Sequence, residues 1–433
     1  MTANAPDTYT ISSRDIWSLR SASGEAVWGW ITAAFTAYWM LFVAGAFLGR
    51  KELNAVGGVV ILGVLGWVIL ERLWVRLDAV VVVSLTSAVC VPLLQIVSSS
   101  EPLSLEALFK HVSLCLVMAA SRILQLPLAC KSKVRKLLVL QILAILLISF
   151  TIYRGTSWDG GTRHSGLFVN PNNLALIPFL LLFFVDPVRD GLILRLATHA
   201  IVVAVLAFSG TSGAVVAYGI GLGVHLRTLI SKRWRRFVYM LIPVFCVASA
   251  TFIAMNGMRL LPETRLTKQV SVIGVQLQNV LQGGDVAYYE QERVLGPGTA
   301  SGIWRVAHWR RTLATYFDGT FTQQIFGFGL GSSPRMMGKL PHNEYLRLLF
   351  EQGILGFALF VFAWRQIIKT APAHVRYIGL VVAIYSFSEN NLDNFPFMAL
   401  FTLCLSARGV SDSFRVSIQQ PFVRKWRMAV QRA

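Results

Sequence analysis

Apolar runs of helix length alternate with short polar or glycine-bearing intervals from residue 26 to residue 255, and the pattern resumes from 344 to 408. A backbone in lipid must satisfy its hydrogen bonds internally, and about 17 to 25 apolar residues are needed to cross, so each run predicts a transmembrane helix. The predicted spans are 26–48, 55–70, 79–97, 105–124, 136–153, 173–186, 191–208, 211–226, 237–255, 344–363, 375–390 and 394–408. The expected class is an all-α polytopic membrane protein of about twelve transmembrane helices. Around the spans 26–255 and 344–408 lie a cytoplasmic segment 1–25, a large loop 256–343 between helices nine and ten, and a basic cytoplasmic tail 409–433.

Composition agrees with this pattern. Only 14% of residues are charged and 55% are hydrophobic, whereas a soluble domain carries about 25% charged residues. A net charge of +19 would suggest nucleic acid in a soluble protein. Here its distribution gives a simpler account, and no nucleic-acid partner is expected. With the N-terminus inside, 25 of the 40 Lys and Arg fall on cytoplasmic segments and only six on the short outer ones. The remaining nine lie in the loop 256–343, and long loops cross regardless of charge. Both termini are therefore expected in the cytoplasm. No short apolar stretch with a small-residue cleavage site follows the polar start, so the first helix is expected to serve as its own insertion signal. The five cysteines lie in or beside apolar stretches without metal-ligand spacing, which argues against a disulfide framework or a zinc site.

Gly, Asn, Pro and His cluster in four places, 154–172, 209–213, 256–343 and 389–396, all on the predicted outer face. A site assembled from several loops of one face is thus possible, whereas a transport pathway would place charges and broken helices near the bilayer midplane. In the first cluster Arg163 stands among glycines, where its planar fork can meet an anion such as phosphate. Asn170 and Asn172 flank Pro171 just before a span, a pattern that suits a capped turn as well as a ligand contact. In the long loop, Arg305 and Trp309 share a helical face at i, i+4, followed by Arg310 and Arg311. Interfacial tryptophan anchoring and lipid headgroup binding are the plain alternatives for these residues. Phe326-Gly-Phe-Gly-Leu-Gly331 permits close backbone approach, and His342-Asn343-Glu344 stands where loop becomes helix. Arg347 and Glu351 read as an ion bridge within the tenth span.

His342-Asn343, nine residues, then Gly353-Ile354-Leu355-Gly356 resembles the histidine signature of the O-antigen ligase and Wzy-type O-antigen polymerase superfamily. The glycine-rich approach, Arg305-x3-Trp309, and Arg163-x-x-Gly166 with Asn170-Pro171-Asn172 are similar to further motifs of that family. One departure is Ser209-Gly-Thr-Ser-Gly213, where the family often carries Ser-Arg; that segment looks more like exopolysaccharide polymerases than ligases.

The resemblance implies a glycosyltransferase of GT-C type in a bacterial inner membrane, with its active face in the periplasm. It would act without metal or other cofactor, transferring glycan from an undecaprenyl diphosphate carrier with inversion. His342 would position or deprotonate the acceptor hydroxyl, with Arg305 and Arg163 as catalytic partners at the diphosphate. Asn343, Glu344, Trp309, Asn170, Asn172, Arg310 and Arg311 would bind substrate. Expected partners are the carrier-linked oligosaccharide and membrane lipid, with chain-length regulator or export proteins beside them. A polymerase would pass the chain to the next lipid-linked repeat unit and a ligase to lipid A core; a flippase for the same lipid is the rival of another class.

Overall fold

In the computed structural model, residues 13–50, 52–72, 78–98, 104–124, 132–152, 164–168, 170–185, 191–229 and 301–406 are described. The ninth predicted span, most of the long loop and the tail lie outside these residues. The described chain is helical throughout, with no strand. Helices α1 (Ser13–Leu48), α2 (Glu52–Arg72), α3 (Ala79–Ser98), α4 (Leu105–Leu124) and α5 (Ser132–Thr151) come first. Next are α6 (Pro171–Leu176), α7 (Leu192–Ser209) and α8 (Ser212–Leu229). The final group is α9 (Ser301–Phe317), α10 (Phe321–Phe326), α11 (Ser332–Met337), α12 (Glu344–Thr370), α13 (Ala373–Tyr385) and α14 (Phe395–Ser406).

Six of these helices are long and apolar enough to cross a membrane: the apolar part of α1, then α2, α3, α5, α7 and α12. Their outward surfaces are apolar too, with Val97 88%, Ile193 84% and Leu70 73% exposed. Contiguous apolar surface of this kind is rare on a soluble monomer, and lipid is the solvent that suits it. The chain is a polytopic helical membrane protein.

The predicted sixth span departs from a regular α-helix. After the six residues of α6 the backbone tightens into a 3-10 helix, Ile177–Phe184, with Pro178 near its start. Proline removes one N–H from the helical ladder, and all eight residues of the 3-10 stretch are buried among neighbouring helices rather than facing lipid. From His111 onward α4 is also enclosed by protein, and its polar residues Arg122, His111, Ser113 and Ser121 are buried.

The bundle has two distinct polar ends. At one, Arg122 of α4 pairs with Asp78 (Nη2–Oδ2 2.6 Å) and donates to Thr370 at the last turn of α12 (2.6 Å). Asp78 also caps α3, accepting from the amides of Val80 and Val81. Burial alone would raise its carboxyl pKa, but the Arg122 hydrogen bond, the two amides and the guanidinium charge hold it below the usual range.

At the other end, α12 is interrupted. Gly353 has φ 65° and ψ −175°, which divides the helix into a short first part and a long second one. The break exposes carbonyls that a helix would otherwise satisfy. The amides of Phe328 and Gly329 donate to Phe350 O (2.9 Å) and Glu351 O (3.2 Å). Gln95 of α3 donates to Glu351 O (2.7 Å) and Phe326 O (3.2 Å) and accepts from the amide of Leu330 (2.9 Å). A Cβ on Gly353 would overlap Ile325 O, and one on Gly327 would overlap Glu351 O. The glycine-rich run and the first glycine of Gly353-x-x-Gly356 thus serve one close backbone contact.

Candidate functional site

The first part of α12 begins at Glu344 because Asn343 caps it, its side chain accepting from the amides of Tyr345 and Leu346 (both 3.1 Å). His342 stands just before that cap with φ 47°, and among the described residues no other non-glycine has positive φ. Residues 386–394, which join α13 to α14, are stitched to the same helix start. Glu344 N donates to Ser386 O (2.8 Å), and Leu392 N donates to Glu344 Oε2 (3.0 Å).

This stitching brings Glu389 to His342. Its Oε2 lies 2.8 Å from His342 Nδ1, and its Oε1 lies 3.6 Å from Arg305 Nη2. Glu389 is only 4% exposed, whereas His342 and Arg305 are partly open. A carboxylate can only accept, so in this contact His342 Nδ1 carries the hydrogen and a neutral ring keeps its lone pair on Nε2. The Oε1 atom has no hydrogen-bond partner among the described residues.

Arg305 reaches the pair from α9, which is fastened along the segment leading to His342. Trp309 Nε1 donates to Pro341 O (2.6 Å), and His308 Nε2 to Lys339 O (3.2 Å). The ring of Trp304 meets His342 edge to face at 5.5 Å and stacks on His308 at 4.9 Å. Tyr316 at the far end of α9 donates to Gln324 O in α10 (2.5 Å).

The predicted site residues therefore divide. His342 and Arg305 converge on one carboxylate. Trp309, Asn343 and Glu344 have their polar atoms engaged in building the local fold. Arg310 and Arg311 stand on the exposed face of α9. Arg347 bonds Glu344 (Nε–Oε1 2.7 Å).

Asn170 and Asn172 belong to a neighbouring cluster. Asn170 caps α6, accepting from Asn172 N (2.9 Å), and the Asn172 side chain accepts from Thr211 Oγ1 (3.3 Å). Tyr385 OH donates to Asn172 O (3.4 Å), and a Cβ on Gly213 would overlap Ser388. The Ser-Gly-Thr-Ser-Gly segment is thereby packed against the turn that carries Glu389. Arg163 lies outside the described residues, but His164 is pinned by Ser149 O (Nε2, 2.6 Å) and Phe208 O (backbone N, 3.2 Å).

Glu389 is the residue that sequence reasoning passed over. Its signal was an acidic group inside Ser386-Phe-Ser-Glu-Asn-Asn391, a polar interval between two apolar runs, which the pattern marked without giving it a role. Among the described residues no three His, Cys, Asp or Glu side chains converge as a metal site would require. No known family model matches the sequence, and no curated protein matches it.

Proposed function

We propose that the chain is a glycosyltransferase that moves a glycan from an undecaprenyl diphosphate carrier to a sugar hydroxyl at the periplasmic face of a bacterial inner membrane. The observation that carries this reading is His342, oriented by buried Glu389 and flanked by Arg305 at one polar end of the bundle. On this reading the full bundle has twelve spans of GT-C type.

The acceptor oxygen bonds to the anomeric carbon while the bond from that carbon to the diphosphate oxygen breaks. The hydroxyl proton passes to Nε2 of His342, and the carrier diphosphate leaves with the electron pair. Negative charge growing on the leaving oxygen is stabilised by guanidinium, the role given to Arg305 and Arg163. Glu389 holds the imidazole in one tautomer and stabilises the imidazolium that forms, as the acid of a catalytic triad does. Direct displacement inverts the anomeric centre. The acceptor we assign is the next lipid-linked repeat unit, as in a polymerase; ligation to lipid A core is the alternative.

The test is purified protein in liposomes with carrier-linked repeat units as the only sugar substrate. Polymer from the wild type and none from His342→Ala is expected. In cells, His342→Ala should leave lipid-linked units accumulating on the outer face. Their accumulation inside would instead mark a flippase, and normal polymer would remove His342 from the chemistry.

A further inference from the structure

A cavity of about 250 Å³ opens between α4, α11 and the first part of α12. Leu340 and Leu392 form part of its wall, two residues before His342 and three after Glu389, so the segments carrying the pair also border the cavity. The side chains of Arg305, His342 and Glu389 do not themselves line it. The cavity is therefore a space separate from the arginine contact.

Its chemistry is mixed. Lys110, Arg335 and Arg347 supply donors, Glu351 and Glu106 supply acceptors, and Gln352 supplies both. Several of these groups are braced by the fold: Lys110 pairs with Glu106 at 2.8 Å, Arg335 Nε donates to Gly331 O at 3.1 Å, and Arg347 bonds Glu344. A phosphate would favour donors alone and would be repelled by the two carboxylates. Leu114, Leu330, Leu340, Leu348 and Leu392 make the rest of the wall apolar, which suits the carbon–hydrogen face of a sugar ring, whereas an acyl chain would set hydrocarbon against the charged groups. A sugar hydroxyl both donates and accepts, and charged partners make the stronger hydrogen bonds to it. Clefts for drug-sized ligands run about 300–1,000 Å³, so this smaller cavity is of a size for a sugar ring or two.

We infer that this cavity is a glycan subsite, holding a sugar of the acceptor beside His342. The inference rests on the transfer reading for its word acceptor, but glycan binding can be measured without transfer.

The test uses full-length protein carrying Pro334→Cys, an exposed position on the cavity rim. A charged, impermeant methanethiosulfonate labels the thiol, and modification is resolved by mass spectrometry of the peptide that contains it. Three probes are compared: oligosaccharide freed by mild acid from the cells' lipid-linked fraction, inorganic pyrophosphate, and no addition. Severalfold slower labelling with the oligosaccharide alone is expected, and Ala107→Cys should repeat it if the first variant folds poorly. Protection by pyrophosphate but not by glycan would overturn the proposal in favour of an anion site, and equal rates in all three would overturn it outright. Protein that binds glycan here yet transfers none would leave the subsite standing and sink the transfer reading; transfer without protection would do the reverse.

Discussion

His342 Nδ1 and Glu389 Oε2 lie 2.8 Å apart although 47 residues separate them in the chain. The contact fixes the ring through a carboxylate that is almost wholly buried. Glu389→Gln keeps the shape but offers an amide that can present N–H to the same nitrogen, favouring the wrong tautomer. Transfer should fall by about 10²-fold or more, with protein abundance and carrier-lipid binding retained. Measured turnover of Glu389→Gln within a few-fold of wild type would show that the carboxylate only supports the turn.

The backbone at His342 offers a way to separate folding from chemistry. Asn tolerates positive φ nearly as well as His, whereas a β-branched residue does not. Thermal unfolding in detergent should therefore be little changed for His342→Asn and lowered for His342→Val, by about 1–2 kcal/mol. Both variants should lose transfer. Equal stability of the two would mean that the turn relaxes when the histidine is replaced.

Much of this architecture is legible in the chain, and the reason is lipid. Apolar runs fall where α1 to α5, α7, α8 and α12 to α14 are found, and six of these helices have the length and apolarity to cross a bilayer. The sixth run was legible as apolar but not as a 3-10 helix, because hydropathy does not distinguish a wall facing lipid from one facing protein. His342 and Arg305 stood out by residue type and setting. Glu389 did not, since its role depends on a turn being folded back onto a helix start, a contact that no local pattern encodes. Asn343 was visible, but whether its amide caps a helix or touches a ligand is decided only by where the next amides point.

Sidedness is open to direct labelling. Asp318 follows α9 and Lys369 lies in the last turn of α12, and both are exposed at described positions. With both termini cytoplasmic, Asp318→Cys should react with an impermeant maleimide on intact spheroplasts and Lys369→Cys only after permeabilisation. The opposite pattern would put His342 in the wrong compartment for carrier-linked glycan.

The Asp78–Arg122 tie should make stability depend on pH. The carboxyl is held below its ordinary value of about 3.9, so its contribution is present above that value and lost as pH falls through the lower folded one. Removing the carboxylate by Asp78→Asn leaves the largely buried Arg122 without its ion pair, a cost of about 2 kcal/mol at neutral pH. The Tm of the wild type should converge on that of the variant below about pH 4. A constant gap down to pH 3 would mean that the pair contributes through packing alone.

Gly353→Ala should be among the most damaging small changes, costing about 2 kcal/mol or more, because alanine resists that backbone conformation and has no room beside Ile325 O. Folded yield after extraction is the measurement, and wild-type yield would mean that the break can close into a continuous helix.

That same break decides what His342 is anchored to. In a continuous α12, the histidine would ride on a lever 27 residues long, and any tilt forced on the helix by a thinner or thicker bilayer would swing it. With the ladder cut at Gly353, the first part of α12 is bonded to residues 326–330 and to Gln95, so its frame of reference is α3 and the glycine-rich loop. The second part can then lean with the lipid while the end that carries His342 keeps its register.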